Sequence, residues 1–174
     1  MSIHQVSMEF LPEEDRIILR LNTVQREAFR FFVTRRYVRV LWPVLHRLLE
    51  ADFKRREPDK GHVAGDVLDF ERQRAMSGAN FGKAYAEDEM RFPLGEAVRL
   101  LTGVRVKEGP KGGNILCLVT AGGKALEFGV NSQFLHTFGE LLKATVRKAG
   151  WDLDGLFGRP NVQPSRPPGP RVLH

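Results

Sequence analysis

Arg16-Ile17-Ile18-Leu19-Arg20-Leu21, then Ala28-Phe29-Arg30-Phe31-Phe32-Val33, then Thr34 through Trp42 to Phe53, is the stretch that decides the fold. In the first two segments the apolar residues alternate with period two, so Ile17, Leu19 and Leu21, and then Phe29, Phe31 and Val33, fall on one face of a strand. The opposite face carries Arg16, Ile18, Arg20 and Asn22, and then Ala28, Arg30 and Phe32. From Thr34 the period changes. Tyr37, Val38, Leu41, Val44, Leu45, Leu48 and Leu49 recur every three or four residues, which is the stripe of a helix with one buried face. Thr34 has the side chain of an N-cap, because its hydroxyl can accept from a first-turn amide. Pro43 lies inside the stripe and predicts a kink between Arg39 and Pro43.

The same pattern recurs ninety-seven residues later. Ile115-Leu116-Cys117-Leu118-Val119-Thr120 aligns with Ile18 to Thr23, and Leu126, Phe128 and Val130 align with Phe29, Phe31 and Val33. Asn131 takes the place of Thr34, and Phe134, Leu135, Phe138, Leu141 and Leu142 match Tyr37, Val38, Leu41, Val44 and Leu45. A further strand precedes each copy: Ile3 to Phe10 before the first, Ala97 to Lys107 before the second. The fold class expected is therefore α+β, two pseudo-repeated βββα units forming an antiparallel sheet with helices packed on one face, plus a connector helix. The units divide the chain into residues 1–60, a connector over 61–95 with a short helix capped by Asp66, a second unit over 96–154, and a Pro-rich disordered tail over 155–174. Phe92-Pro93-Leu94-Gly95 reads as a turn. The tail carries a Pro-x-x-Pro spacing but is too rich in Pro and Gly to build a core.

The doubled sheet-then-helix arrangement resembles, in architecture, the Whirly-type and PUR-type single-stranded nucleic-acid binders. The resemblance rests on topology and on no sequence motif, so it implies a mode of binding and no membership.

Charge is unevenly spread. The chain of 174 residues carries a net +6, yet residues 1–15 hold four acids and no Lys or Arg, while residues 16–60 hold twelve bases and five acids. A basic excess in one segment favours an acidic partner such as nucleic acid. Met1 to Leu11 lacks the basic start and apolar run of a signal peptide, and no apolar run approaches the roughly 18 residues that span a bilayer. A cytoplasmic protein with no membrane partner is expected. The single cysteine, Cys117, excludes an internal disulfide and a cysteine-cluster metal site.

Sequence motifs for catalysis are missing. No His lies at metal-ligand spacing from another His, Asp or Glu, so no metal and no cofactor is expected. His46, with Glu50 four residues on, and His136 both read as surface helix residues. Gly109 to Gly113 and Ala121-Gly122-Gly123-Lys124 are hairpin turns, since neither has the spacing of a phosphate loop. The chain is expected not to be an enzyme.

Differences between the two copies carry the functional reading. The first presents Arg16, Arg20, Arg30 and Phe32 on the face away from the helix, where bases hold a phosphate backbone and a nucleobase stacks on the ring. Arg35, Arg36 and Arg39 in the first helix turns and the Lys54-Arg55-Arg56 cluster extend the set. The corresponding face of the second copy presents Ile115, Cys117 and Val119, an apolar row suited to an interface. Two functions follow: a non-enzymatic binding module for single-stranded nucleic acid or another polyanion, or a protein-interaction or scaffold module, as a homodimer or with an acidic protein. The observation that separates them is whether the arginines are bare or are neutralised by Glu9, Glu13, Glu14 or Asp15.

Overall fold

The computed structural model describes residues 1–56 and 90–157. In chain order the elements are β1 (Ile3–Leu11), a 3-10 turn (Pro12–Glu14), β2 (Arg16–Thr23), β3 (Ala28–Val33), α1 (Arg35–Arg56), β4 (Arg99–Glu108), a second 3-10 turn (Pro110–Gly112), β5 (Asn114–Thr120), β6 (Ala125–Val130), α2 (Ser132–Lys148) and a single turn α3 (Asp154–Phe157). The expected connector helix falls outside the described residues. The turn at Phe92 is present, with the Gly95 amide donating to the Phe92 carbonyl at 2.9 Å.

Period-two alternation works as physics demands. Ile17, Leu19, Leu21, Phe31 and Val33 are fully buried under the helices, while Arg16, Arg20, Arg30 and Phe32 on the other face are only partly covered. On β5 the core side chains are Leu116 and Leu118, so Ile115, Cys117 and Val119 point away from the helices. Both helices start with a side-chain cap. The Thr34 hydroxyl accepts from the Tyr37 amide at 3.2 Å, and Asn131 Oδ1 accepts from the Phe134 amide at 2.8 Å. Each cap satisfies one of the donors a helix start leaves unpaired. Pro43 sits within α1, which runs on through it to Arg56.

The sheet is six-stranded in the order β1-β2-β3-β4-β5-β6. It is mixed, which corrects the all-antiparallel expectation. Four of the five ladders are antiparallel, but β3 and β4 run parallel, with Phe31 opposite Arg99 and Phe32 opposite Leu100. The reason is the crossover. Parallel neighbours need a long connection rather than a hairpin, and α1 with the residues after it provides one.

Details recur across the sheet. The β1–β2 ladder has a bulge between Ile3 and Gln5, and the β4–β5 ladder has one between Leu101 and Gly103. The β2–β3 turn is closed by Thr23 N to the Glu27 carbonyl (3.0 Å) and Arg26 N to the Thr23 carbonyl (3.2 Å). Ninety-seven residues on, the β5–β6 turn is closed by Thr120 N to Lys124 (2.8 Å) and Gly123 N to Thr120 (3.0 Å). Arg26 and Gly123 both adopt left-handed backbone, at φ 59° and 83°.

One hydrophobic core joins these pieces. It includes Leu19 and Phe31 from the first three strands, Leu41 and Leu45 from α1, Leu116 and Phe128 from the later strands, and Phe138 and Leu142 from α2. Helix α1 lies over β4, α2 lies over β1, and the helices touch each other. Gly139 of α2 faces Trp42 of α1, where an added Cβ would stand 3.5 Å from the ring. Packing against both β1 and α1 widens the buried face of α2. His136 is therefore 6 % exposed, which corrects its assignment to the surface. After α2 the chain turns back. Trp151 and Leu153 are buried, and the Phe157 ring meets Trp42 edge-on at 4.8 Å. The core thus extends past Gly155, where the change of composition placed the start of the tail.

No described helix is long and apolar enough to cross a membrane.

Candidate nucleic-acid interface

The candidate bases occupy two surfaces separated by the core. Arg16, Arg20, Arg30 and Phe32 lie on the outer face of the sheet. Arg36 and Arg39 lie on the exposed face of α1, pointing away from it. Arg35 sits between, at the first residue of α1. Lys54 is exposed in the last turn of the same helix, and Arg55 and Arg56 are its final residues.

On the sheet the arginines meet the acidic N-terminal segment. Arg20 Nη1 reaches Glu9 Oε2 at 3.0 Å, Arg16 reaches Glu14 at 3.9 Å, and Arg35 reaches Asp15 at 3.6 Å. Register brings them together: Glu9 pairs with Ile18 and Ser7 with Arg20, so Glu9 and Arg20 are diagonal neighbours on one face. The 3-10 turn then places Glu14 and Asp15 beside the start of β2. Asp15 is held further by the Trp151 indole, which donates to its Oδ1 at 2.6 Å. Such exposed pairs contribute between nothing and about 1 kcal/mol each, but they cancel the local field that would draw in a phosphate, so this pairing favours a structural role for the sheet face over the nucleic-acid role expected of it.

The stacking platform is occupied as well. The Arg16 guanidinium lies 5.2 Å over the Phe32 ring, and Arg30 lies 4.8 Å over Phe92. A base stacking on Phe32 would first have to displace Arg16.

The exposed face of α1 differs. Arg36 and Lys54 are eighteen residues apart, five turns of a 3.6-residue helix, and Arg47 stands eleven residues after Arg36, about three turns. These three line up on one side, with Arg39 flanking them, along about 27 Å of helix at 1.5 Å per residue. Among the described residues none of the four forms an ion pair. The acid nearest the line, Glu50, is engaged by His46, Nδ1 to Oε1 3.5 Å. Arg47 was not among the sequence candidates. Its whole-turn spacing from Arg36 and Lys54 was the signal that could have found it.

The row Ile115, Cys117 and Val119 is one strand wide. Arg105 on β4 and Glu127 on β6 flank Cys117 in register, and the Lys107 ammonium donates to Glu127 at 2.6 Å. Cys117 is 1 % exposed beneath these side chains, and burial pushes its thiol pKa up, away from a reactive thiolate. Among the described residues, no three His, Cys, Asp or Glu side chains converge to hold a metal.

Comparison of the chain with protein-family models, with curated proteins and with solved structures finds no match in any of the three. The architectural likeness to Whirly-type and PUR-type binders therefore assigns no family.

Proposed function

We propose that this protein is a non-enzymatic binding module for nucleic acid, held through phosphates on the exposed face of α1. The observation that carries this is the line Arg36, Arg47 and Lys54, flanked by Arg39, exposed and without acidic partners among the described residues. Four cations along one helix form a local positive field that the acidic N-terminus does not reach. Binding of this kind releases counterions and reads little sequence. With Phe32 and Phe92 covered by guanidinium groups, base stacking on the sheet adds little, so a strong preference for single strands is not expected. A labelled oligonucleotide titrated at low salt tests this. Saturable binding that weakens steeply as salt rises is the expected result, and no binding at low salt refutes the proposal.

We further propose that the two halves are copies of one βββα unit. Support comes from the bulges, turns and caps that recur at a spacing of ninety-seven residues, or ninety-eight for the first strand of each half. The difference is one residue fewer in the β4–β5 turn, 109–113 against 11–16. An experimental structure in which β1–β3–α1 superposes on β4–β6–α2 in this register tests the idea. Superposition only in another register refutes it.

A further inference from the structure

Between α1 and β4 runs a groove of about 540 Å³. Its floor is Val44 and Leu48 from the helix and Val104 and Val106 from the strand, and its charged rim is Arg47, Lys54 and Glu50 on the helix. Val106 is 40 % exposed, on the core-facing side of β4 beyond its last pair with β3, where the strand is paired with β5 alone. The rim holds two bases and one acid.

The other half of the molecule shows what completes such a seam. At the ninety-seven and ninety-eight residue spacings proposed above, on which this inference rests, Val104 and Val106 correspond to Val6 and Met8 on β1, and Lys54 to Trp151. Trp151 is 4 % exposed and packs edge-on against Phe10, two residues along β1 from Met8, at 6.1 Å between centroids. Leu153 follows it into the core, with Asp152 exposed between them. That half is closed by the sequence Trp151-Asp152-Leu153-Asp154, two apolar anchors alternating with acids. In the first half the corresponding positions are Lys54, Arg55, Arg56 and Glu57. The apolar anchors are replaced by cations, and the valine floor stays partly open.

We propose that the α1–β4 groove docks an acidic peptide segment of a partner protein, with an aromatic or large aliphatic side chain as its anchor. The anchor covers Val104 and Val106. Carboxylates on either side meet Arg47 and Lys54. A nucleobase fits less well, because none of the described residues lining the groove is aromatic.

A short fluorescent peptide built around Trp-Asp-Leu-Asp, titrated with the full chain, tests this, with a control peptide carrying Asn for Asp and Ala for Trp. The expected result is saturable binding of the first peptide only, weakened at least about tenfold by Val106→Gln and by Lys54→Glu, as loss of an anchor contact does. Val106→Gln removes no cation and adds no acid, so it leaves oligonucleotide binding unchanged; that separates this site from the phosphate contacts of α1. Circular dichroism confirms that the variants are folded. Absence of saturable peptide binding, or equal affinity of the Val106→Gln protein, overturns the proposal, as does equal binding of the two peptides.

Discussion

Arg20 and Glu9 meet across the β1–β2 ladder, guanidinium nitrogen to carboxylate oxygen 3.0 Å apart. Eleven residues separate them in sequence, yet the hairpin brings the acidic start of the chain onto the basic strand that follows. The pair is exposed, so its net contribution is small. Glu9→Gln should change the unfolding free energy by less than about 0.5 kcal/mol in urea titrations. A loss of 2 kcal/mol or more would mean that the pair is far better shielded than its exposure implies.

Trp151 ties the end of α2 to the turn before β2 through its bond to Asp15. Trp151→Phe removes this bond and keeps most of the packing. Asp15 is exposed enough to be rehydrated, so the expected cost is about 1 kcal/mol. Trp151→Ala also empties a buried site and should cost about 3–5 kcal/mol. Equal effects of the two substitutions in chemical denaturation contradict this division.

Gly139 faces Trp42 at ordinary van der Waals distance for an added methyl. Alanine there gains helix propensity, so Gly139→Ala should be neutral or stabilise by up to about 1 kcal/mol. Gly139→Leu drives a larger group into the ring and should cost about 1–3 kcal/mol. Melting temperatures of the two variants should move in opposite directions or differ by several degrees.

The Tyr37 hydroxyl donates to the Gly103 carbonyl at 3.2 Å, and burial raises its pKa well above the ordinary value. Unfolded tyrosine ionises near pH ~10, whereas folded Tyr37 keeps its proton there. The unfolded state therefore loses the proton first, and stability is full below about pH 10 and falls above it. Tyr37→Phe should cost about 1 kcal/mol at neutral pH and flatten the decline above pH ~10. A decline equally steep in the variant, measured by urea midpoints across that range, assigns the effect to other groups.

Much of the fold was legible because local chemistry dictates it. Alternation in β2, β3 and β5, the stripes of α1 and α2, and the caps Thr34 and Asn131 are properties of a few consecutive residues. Neighbours distant in sequence were harder to read. The parallel β3–β4 junction depends on where the chain re-enters after α1, which no local pattern encodes. The burial of His136 follows from α2 meeting β1 as well as α1. Leu156 and Phe157 pack against the core although Gly155 marks a change in composition. The arginines on the sheet were visible as residues, but their meaning depended on Glu9, Glu14 and Asp15, which the hairpin alone brings near. Conversely, the alignment of Arg47 with Arg36 and Lys54 is a local property, set by whole helix turns.

The most direct measurement compares two charge reversals in oligonucleotide binding followed by fluorescence anisotropy: Arg36→Glu with Arg39→Glu on the helix, and Arg16→Glu with Arg20→Glu on the sheet. The helix pair should lose at least about tenfold in affinity and show a shallower dependence on salt, by about one in the log–log slope per lost phosphate contact. The sheet pair should stay within about twofold of the parent, because its guanidinium groups are already neutralised. The reverse pattern, with the sheet pair abolishing binding and the helix pair leaving it intact, contradicts the placement of the site on α1.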